Sequence, residues 1–339
     1  MNITVLGAGA WGTAMAISLA ERHQVLLWGR ESEQVIKAEK NRVNPMGLPG
    51  VKLPDTLHLT DDFNKAVNHG TGLTRLIIVA TAVAGLRPVL TQLKDYPVKN
   101  IIWLCKGFEQ NTGLLPSQVA NEVIGHIGIN LGVLSGPSFA QEVAAGMPCA
   151  LTIASQSETL RGIVVGAMNA GTMRIYCSDD VIGVEVGGAL KNILAVATGI
   201  ADGLSMGMNA RAALITRGLA EITRMGVALG GRLETFMGLT GVGDLILTCT
   251  GDLSRNRRVG LGLAKGKTLE DVIKELGHVA EGVNCAHTVR DLAQKMNVEM
   301  PLTRAVASVL FDGVSIKEAV AQLMARHVRD EGDVLYQQS

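Results

Sequence analysis

The sequence predicts an α/β, doubly wound N-terminal domain over residues 1–180 followed by an all-α C-terminal domain over residues 181–339. Three observations carry this. A short apolar strand, Asn2 to Leu6, runs at once into Gly7-Ala8-Gly9-Ala10-Trp11-Gly12 and a helical pattern from Thr13 to Ala20. Apolar strands then alternate with helical or loop segments up to Tyr176, the pattern of a mostly parallel sheet. From Asp202 onward the periodicity is helical alone. A chain of 339 residues is long enough for two cores.

Strand, GxGxxG and helix together form the fingerprint of a Rossmann-like dinucleotide-binding fold. Gly7 permits the tight turn, Gly9 lets the backbone approach a pyrophosphate, and Gly12 lets the helix pack on the strand. The helix N-terminus, with Ala10 and Trp11, then meets the negative charge. A second strand, Val25 to Trp28, ends in Gly29-Arg30-Glu31 where an NAD-specific fold would place an acidic residue on the ribose. Arg30 suits the 2′-phosphate of NADP, while Glu31 can approach the ribose of NAD, so the expectation is preference for NADPH rather than exclusivity; the alternative is an exposed surface arginine.

Further strands are expected at Leu76 to Ala80, Ile101 to Leu104, Val133-Leu134, Ala150 to Ile153 and Met173 to Tyr176. In such sheets ligands sit beyond the carboxyl ends of the strands. Two strand ends stand out there: Lys106-Gly107, and Ser135-Gly136-Pro137-Ser138, which opens a helix from Phe139.

The stretch from Ser178 to Asp202 is nearly all apolar, long enough for a helix, and broken only by Glu185, Lys191 and Asn192. It reads as a buried soluble helix rather than a membrane span, because two charges lie inside it and no basic flank marks one side. A buried ammonium must be paired, and desolvation lowers its pKa toward the range of proton transfer; the alternative is a stem that packs inside while its head reaches water. Downstream, Gly238 to Arg258 gathers a glycine-rich turn, Asp244, Thr248 and Arg255-Asn256-Arg257-Arg258, a composition suited to an anion. Thr268 with Asp271 resembles a capping box, and Pro301 precedes a helix start.

Composition excludes several classes. With 31 basic and 31 acidic residues there is no overall field to draw the chain to nucleic acid or an anionic membrane. Aromatic residues make up 3%, too few for a base-stacking platform. Five scattered cysteines without a CxxC argue against a disulfide framework and structural zinc. The apolar N-terminus has no Lys or Arg ahead of it and fits a strand better than a secretory leader. A cytoplasmic enzyme is the expectation.

With GAGAWGTA, CKG at Cys105 to Gly107, SGPSFA at Ser135 to Ala140, GGALKN at Gly187 to Asn192, GVGDLILTC and SRNRR in this order, the chain resembles the bacterial NAD(P)-dependent glycerol-3-phosphate dehydrogenases over nearly its whole length. One departure is Ala80-Thr81, where that family commonly has Pro-Ser. The resemblance implies interconversion of dihydroxyacetone phosphate and sn-glycerol 3-phosphate with NADP or NAD, supplying the backbone of phospholipids. It implies Lys191 as catalytic acid/base, with Lys106 and Asp244 lining the reacting centre. Gly136, Ser138, Ser254, Arg255 and Asn256 match substrate contacts, and Asn192 and Thr248 their neighbours. Ala10, Trp11, Arg30, Lys106, Ala140, Arg255, Val279 and Glu281 match cofactor contacts.

The chemistry agrees: hydride reduction of a ketone develops negative charge on oxygen, which a nearby amine stabilises and protonates. No metal is required. The expected partner is a small phosphorylated substrate, with a second copy of the chain as a further candidate; nucleic acid and an integral membrane segment are not expected. A β-hydroxyacid dehydrogenase or ketopantoate reductase would share the architecture and the lysine, but the SRNR cluster favours a phosphate. A non-catalytic NAD(P)H sensor would have no evident use for the amine in the apolar helix.

Overall fold

A computed structural model describes residues 1–326 apart from 71, 73, 74, 278 and 279. The chain forms two compact units, one of residues 1–106 and 116–181 and one of residues 107–115 and 182 onward. The short segment 107–115 groups with the helical unit because Phe108 and Leu115 are buried in that unit's apolar core.

The first unit is built on β1 (Asn2–Leu6), β2 (Gln24–Trp28), β3 (Val43–Asn44), β4 (Leu48–Lys52), β5 (Leu57–Thr60), β6 (Leu76–Val79), β7 (Asn100–Trp103), β8 (Asn130–Ser135), β9 (Cys149–Ala154) and β10 (Met173–Ser178). Eight of these make one sheet in the order β10-β9-β8-β7-β6-β1-β2-β5, with Ile3 beside Val25 on one side and Leu76 on the other. Every neighbouring pair is parallel except β8 and β9, which are joined through the short helix Ala140–Ala144 instead of a full crossover helix. Strand order reverses between β1 and β6, so ligands are expected beyond their carboxyl ends. The strands are Val/Ile/Leu runs because both faces are covered, and their core includes Ile3, Val5, Leu27, Ile78 and Ile102. Local caps set helix starts: the Asp62 carboxylate accepts the Lys65 N–H at 3.0 Å, and the Ser157 hydroxyl that of Leu160 at 3.2 Å.

Two features escape the sequence pattern. β3 and β4 form a separate hairpin whose second strand carries Pro49 and Gly50, residues that read as a turn. β5 is four residues long and too short to stand out from its surroundings.

The second unit is helical, with no strand among its described residues: Val181–Gly203, Gly207–Ala228, Leu233–Phe236, Asp244–Thr250, Arg255–Ala264, Leu269–Leu276, Glu281–Lys295, Pro301–Phe311 and Ile316–Met324, with a π-turn at Leu239–Gly243. Val181–Gly203 is the one described helix long and apolar enough to cross a membrane by length and composition, and it is largely buried. Its glycines let other backbone touch it. A Cβ on Gly187 would lie 2.4 Å from the Thr240 carbonyl oxygen, and one on Gly199 2.0 Å from that of Arg257. Elsewhere in this unit the buried Glu221 carboxylate accepts the N–H groups of Leu302 and Thr303, closing the start of Pro301–Phe311. Burial pushes its pKa up, against the pull of those hydrogen bonds. Thr268 caps Leu269–Leu276 by accepting the Asp271 N–H at 3.1 Å.

Candidate active site

In the first unit the site begins at the glycine turn after β1. Gly7 has φ +127°, and a Cβ there would come within 2.7 Å of the Ala80 carbonyl oxygen at the end of β6. A Cβ on Gly12 would sit 2.0 Å from the Gly7 oxygen, so that glycine serves the helix–turn contact. At Gly9 a Cβ would meet nothing within 4 Å: the fold does not need glycine there, but a group lying against the backbone would. Helix Ala10–Ala20 starts at Gly9 without a side-chain cap, presenting the first-turn amides of Ala10 and Trp11 outward.

Beside this turn lies a cavity of about 520 Å³ lined by Gly7, Ala8, Arg30, Glu31, Asn44 and Thr81, among others. The Thr81 hydroxyl is buried in it with no hydrogen-bond partner. The glycine turn, the uncapped helix and this partnerless hydroxyl fit a dinucleotide. Arg30 and Glu31 are both exposed and pair with each other, Nε to Oε1 at 3.1 Å. Asn44 escaped the sequence reading. Its Nδ2 donates to the Ala8 carbonyl and to Thr13 Oγ1, both at 2.8 Å, and thereby pins the β3–β4 hairpin onto the glycine turn. An Asn two residues before Met46-Gly47 reads as turn chemistry, and nothing in the pattern reveals its distant partners.

At the ends of β7 and β8 the structure brings Lys106, Gly136 and Ser138 together. Lys106 Nζ donates to the Gly136 carbonyl at 3.2 Å, and the Ser138 hydroxyl donates to the same oxygen at 3.2 Å. Gly136 has φ +139°, and a Cβ there would crowd the Ala150 oxygen at 3.0 Å, so a side chain is excluded. Ala140 opens the short helix that follows.

In the second unit Lys191 is buried and paired, which decides between the two readings of its amine. Nζ lies 2.6 Å from Asp244 Oδ1 and 2.8 Å from Thr248 Oγ1, and the Thr248 hydroxyl donates to the Asp244 carbonyl at 2.6 Å. Asp244 and Thr248 stand four residues apart on one face of Asp244–Thr250. Lys191 and Asp244 side chains are 8% and 1% exposed, so the ion pair is held out of water.

Asn192, one residue on, belongs to a second network. Asn256 Nδ2 donates to Asn192 Oδ1 at 2.9 Å, and Asn256 Oδ1 accepts the Gly282 N–H at 2.9 Å. Asn192 Nδ2 reaches Glu281 Oε2 at 3.4 Å. Gly282 is required here, since a Cβ would lie 2.4 Å from the Asn192 oxygen. Ser254 caps Arg255–Ala264 by accepting the Arg257 N–H at 3.2 Å. The helix therefore starts at Arg255, which puts Arg255 and Asn256 in its first turn. Within the basic cluster the arginines differ. Arg257 is buried and bound to Asp202 and Asp252, whereas Arg255 and Arg258 are exposed. Val279 lies outside the described residues.

Comparison with known proteins follows the same division of the chain. The profile described as NAD-dependent glycerol-3-phosphate dehydrogenase N-terminus matches residues 2–161, and the profile for the C-terminus of the same enzymes matches residues 180–321. The chain is 64% identical over 331 residues to glycerol-3-phosphate dehydrogenase (NAD(P)+) of Herminiimonas arsenicoxydans, covering 98% of this chain and 99% of that one. It is 62% identical to the enzyme of the same name from Janthinobacterium sp. strain Marseille, with the same coverage. A crystal structure of glycerol-3-phosphate dehydrogenase from Coxiella burnetii superposes with a TM-score of 0.89 at 40% identity, over 96% of this chain and 98% of that one. The chain belongs to the NAD-dependent glycerol-3-phosphate dehydrogenase family.

Proposed function

We propose that this chain interconverts dihydroxyacetone phosphate and sn-glycerol 3-phosphate with NADPH or NADH, supplying glycerophospholipid synthesis, and that Lys191 is its acid/base. The observation that carries the reading is the ammonium of Lys191, held 2.6 Å from the Asp244 carboxylate inside an apolar helix.

When bound, the reduced nicotinamide supplies the hydride. Lys191 meets the negative charge that develops on the carbonyl oxygen and delivers a proton to it; in the reverse direction it accepts that proton. Asp244 and Thr248 hold the amine in place and fix its direction. Lys106 holds or polarises the substrate, with Gly136 and Ser138 beside it. The phosphate is taken by Arg255 and the start of the helix that Ser254 caps, with Asn256 and Asn192 setting the approach. Binding the remote phosphate fixes the carbonyl in place, so its energy is used for orientation. The cofactor is held by Gly7, Gly9, Ala10, Trp11 and Gly12 at the pyrophosphate and by Arg30 at a 2′-phosphate. Lys106, Ala140, Arg255 and Glu281 serve as further contacts.

A homodimer is part of the proposal, supported by exposed apolar side chains on the second unit such as Met206, Met208 and Val227. So is a cytoplasmic location, where the five thiols, none of them in a disulfide, stay reduced.

The test is the loss of NADPH absorbance, and separately of NADH, with dihydroxyacetone phosphate beside unphosphorylated dihydroxyacetone. Oxidation that requires the phosphate is expected. Equal rates with both ketones would remove the phosphate site from the account, and no oxidation with either would remove the reaction.

A further inference from the structure

Asp202 stands at the C-terminal end of Val181–Gly203, outside the Lys191 and Asn192 networks. Its carboxylate, 9% exposed, takes two guanidinium groups. Oδ2 accepts from Arg257 Nε at 2.8 Å, and Oδ1 lies 2.6 Å from an Nη of Arg211. Arg257 lies on the helix that begins with Arg255 and Asn256, and Arg211 on Gly207–Ala228. Arg257 also reaches the exposed Asp252 at 2.9 Å, and its N–H is the group that Ser254 caps. Between these anchors the two helix backbones touch. A Cβ on Gly199 would sit 2.0 Å from the Arg257 oxygen, and one on Gly260 2.1 Å from the Val196 oxygen.

A buried guanidinium held in this way fixes angle and register, because its Nε and Nη1 are each committed to a carboxylate. Along Val181–Gly203 this crossing lies between the Asn192–Asn256 hydrogen bond and the Asp202–Arg257 pair. We infer that Asp202 and Arg257 are positioning residues for substrate phosphate: they hold the first turn carrying Arg255 and Asn256 in register with Lys191. Arg257 acts through Arg255 and Asn256 and does not touch the ligand. The inference rests on the proposed phosphate site.

Arg257→Lys keeps the charge but cannot reach Asp202 and Asp252 together. It should raise KM for dihydroxyacetone phosphate about tenfold, the equivalent of one charge-assisted contact to the phosphate lost when the turn carrying Arg255 and Asn256 moves out of register. It should leave kcat within about threefold and KM for NADPH unchanged. Arg211→Lys breaks the same carboxylate's other partner, away from the phosphate helix. It should lower the melting temperature without raising that KM. A thermal-shift titration with sn-glycerol 3-phosphate reads the same loss without turnover: the Arg257→Lys variant should need about ten times more ligand for the wild-type shift. If Arg257→Lys folds poorly, Asp202→Asn is read by the same two measurements. Overturning results are a KM unchanged in the Arg257 and Asp202 variants, or raised equally by Arg211→Lys, which would make the network purely structural. If the wild-type enzyme does not distinguish the phosphorylated ketone from the free one, the phosphate site itself fails, and that outcome is recognisable before any variant is made.

Discussion

Lys191 and Asp244 are 53 residues apart in the chain and 2.6 Å apart in space, on two helices, with Gly187 of the first lying against the Thr240 carbonyl in the π-turn that leads into the second. The amine and the carboxylate are therefore as well fixed as the helix crossing that carries them. Each satisfies the other's charge in a largely buried setting, the carboxylate 1% and the lysine 8% exposed.

Removing Asp244 leaves the ammonium buried with Thr248 as its remaining named partner. Asp244→Ala should lose about 3–5 kcal/mol of stability, the usual cost of orphaning one half of a buried pair. Turnover should fall by at least about a hundredfold. Urea unfolding beside steady-state rates checks both.

Gly199→Ala sets two effects against each other. Alanine favours a helix interior over glycine by about 1 kcal/mol, but its Cβ would stand 2.0 Å from the Arg257 carbonyl oxygen, and backbone cannot move aside cheaply. The clash should win, with a net loss of about 1–3 kcal/mol. The urea midpoint measures it.

The proposed preference for NADPH rests on an exposed pair, Arg30 and Glu31. Arg30→Ala should raise KM for NADPH about tenfold while leaving NADH within about twofold, because only NADPH carries the 2′-phosphate. Equal losses for the two cofactors would remove Arg30 from the 2′-phosphate.

The thiols give a pH prediction. Burial pushes Cys249 and Cys285 from 9.0 up to about 12, so both stay protonated in the native state while the unfolded thiols ionise near 9. The folded pKa is the raised one. Stability from these groups is therefore intact below pH 9 and declines between pH 9 and 12, by about 1.4 kcal/mol per pH unit for each thiol. Alkylation at pH 8 should label exposed Cys177 and spare these two, as mass spectrometry of the labelled peptides would show.

The sheet and the glycine turn were legible in the sequence because their signals are local: a period of two, a glycine spacing, and a helix start. Lys191 was legible for a different reason, since a lone amine in an apolar helix violates the pattern and demands a partner. The identity of that partner was not readable from spacing alone, because a 53-residue separation leaves no periodic trace. The same holds for Asn44 on the glycine turn and for Arg257, whose place in a basic run hid its commitment to Asp202. Charge composition marks Arg255 to Arg258 only as a basic run, and packing alone separates the exposed Arg255 from the buried Arg257.

The most direct measurement is hydride transfer by Lys191→Ala, with NADPH binding followed in parallel by fluorescence. The account predicts unchanged NADPH affinity and a fall in kcat of about 10²–10⁴, the range for a lost general acid. Turnover of dihydroxyacetone phosphate within a few-fold of wild type would contradict it, and the acid would have to be sought elsewhere.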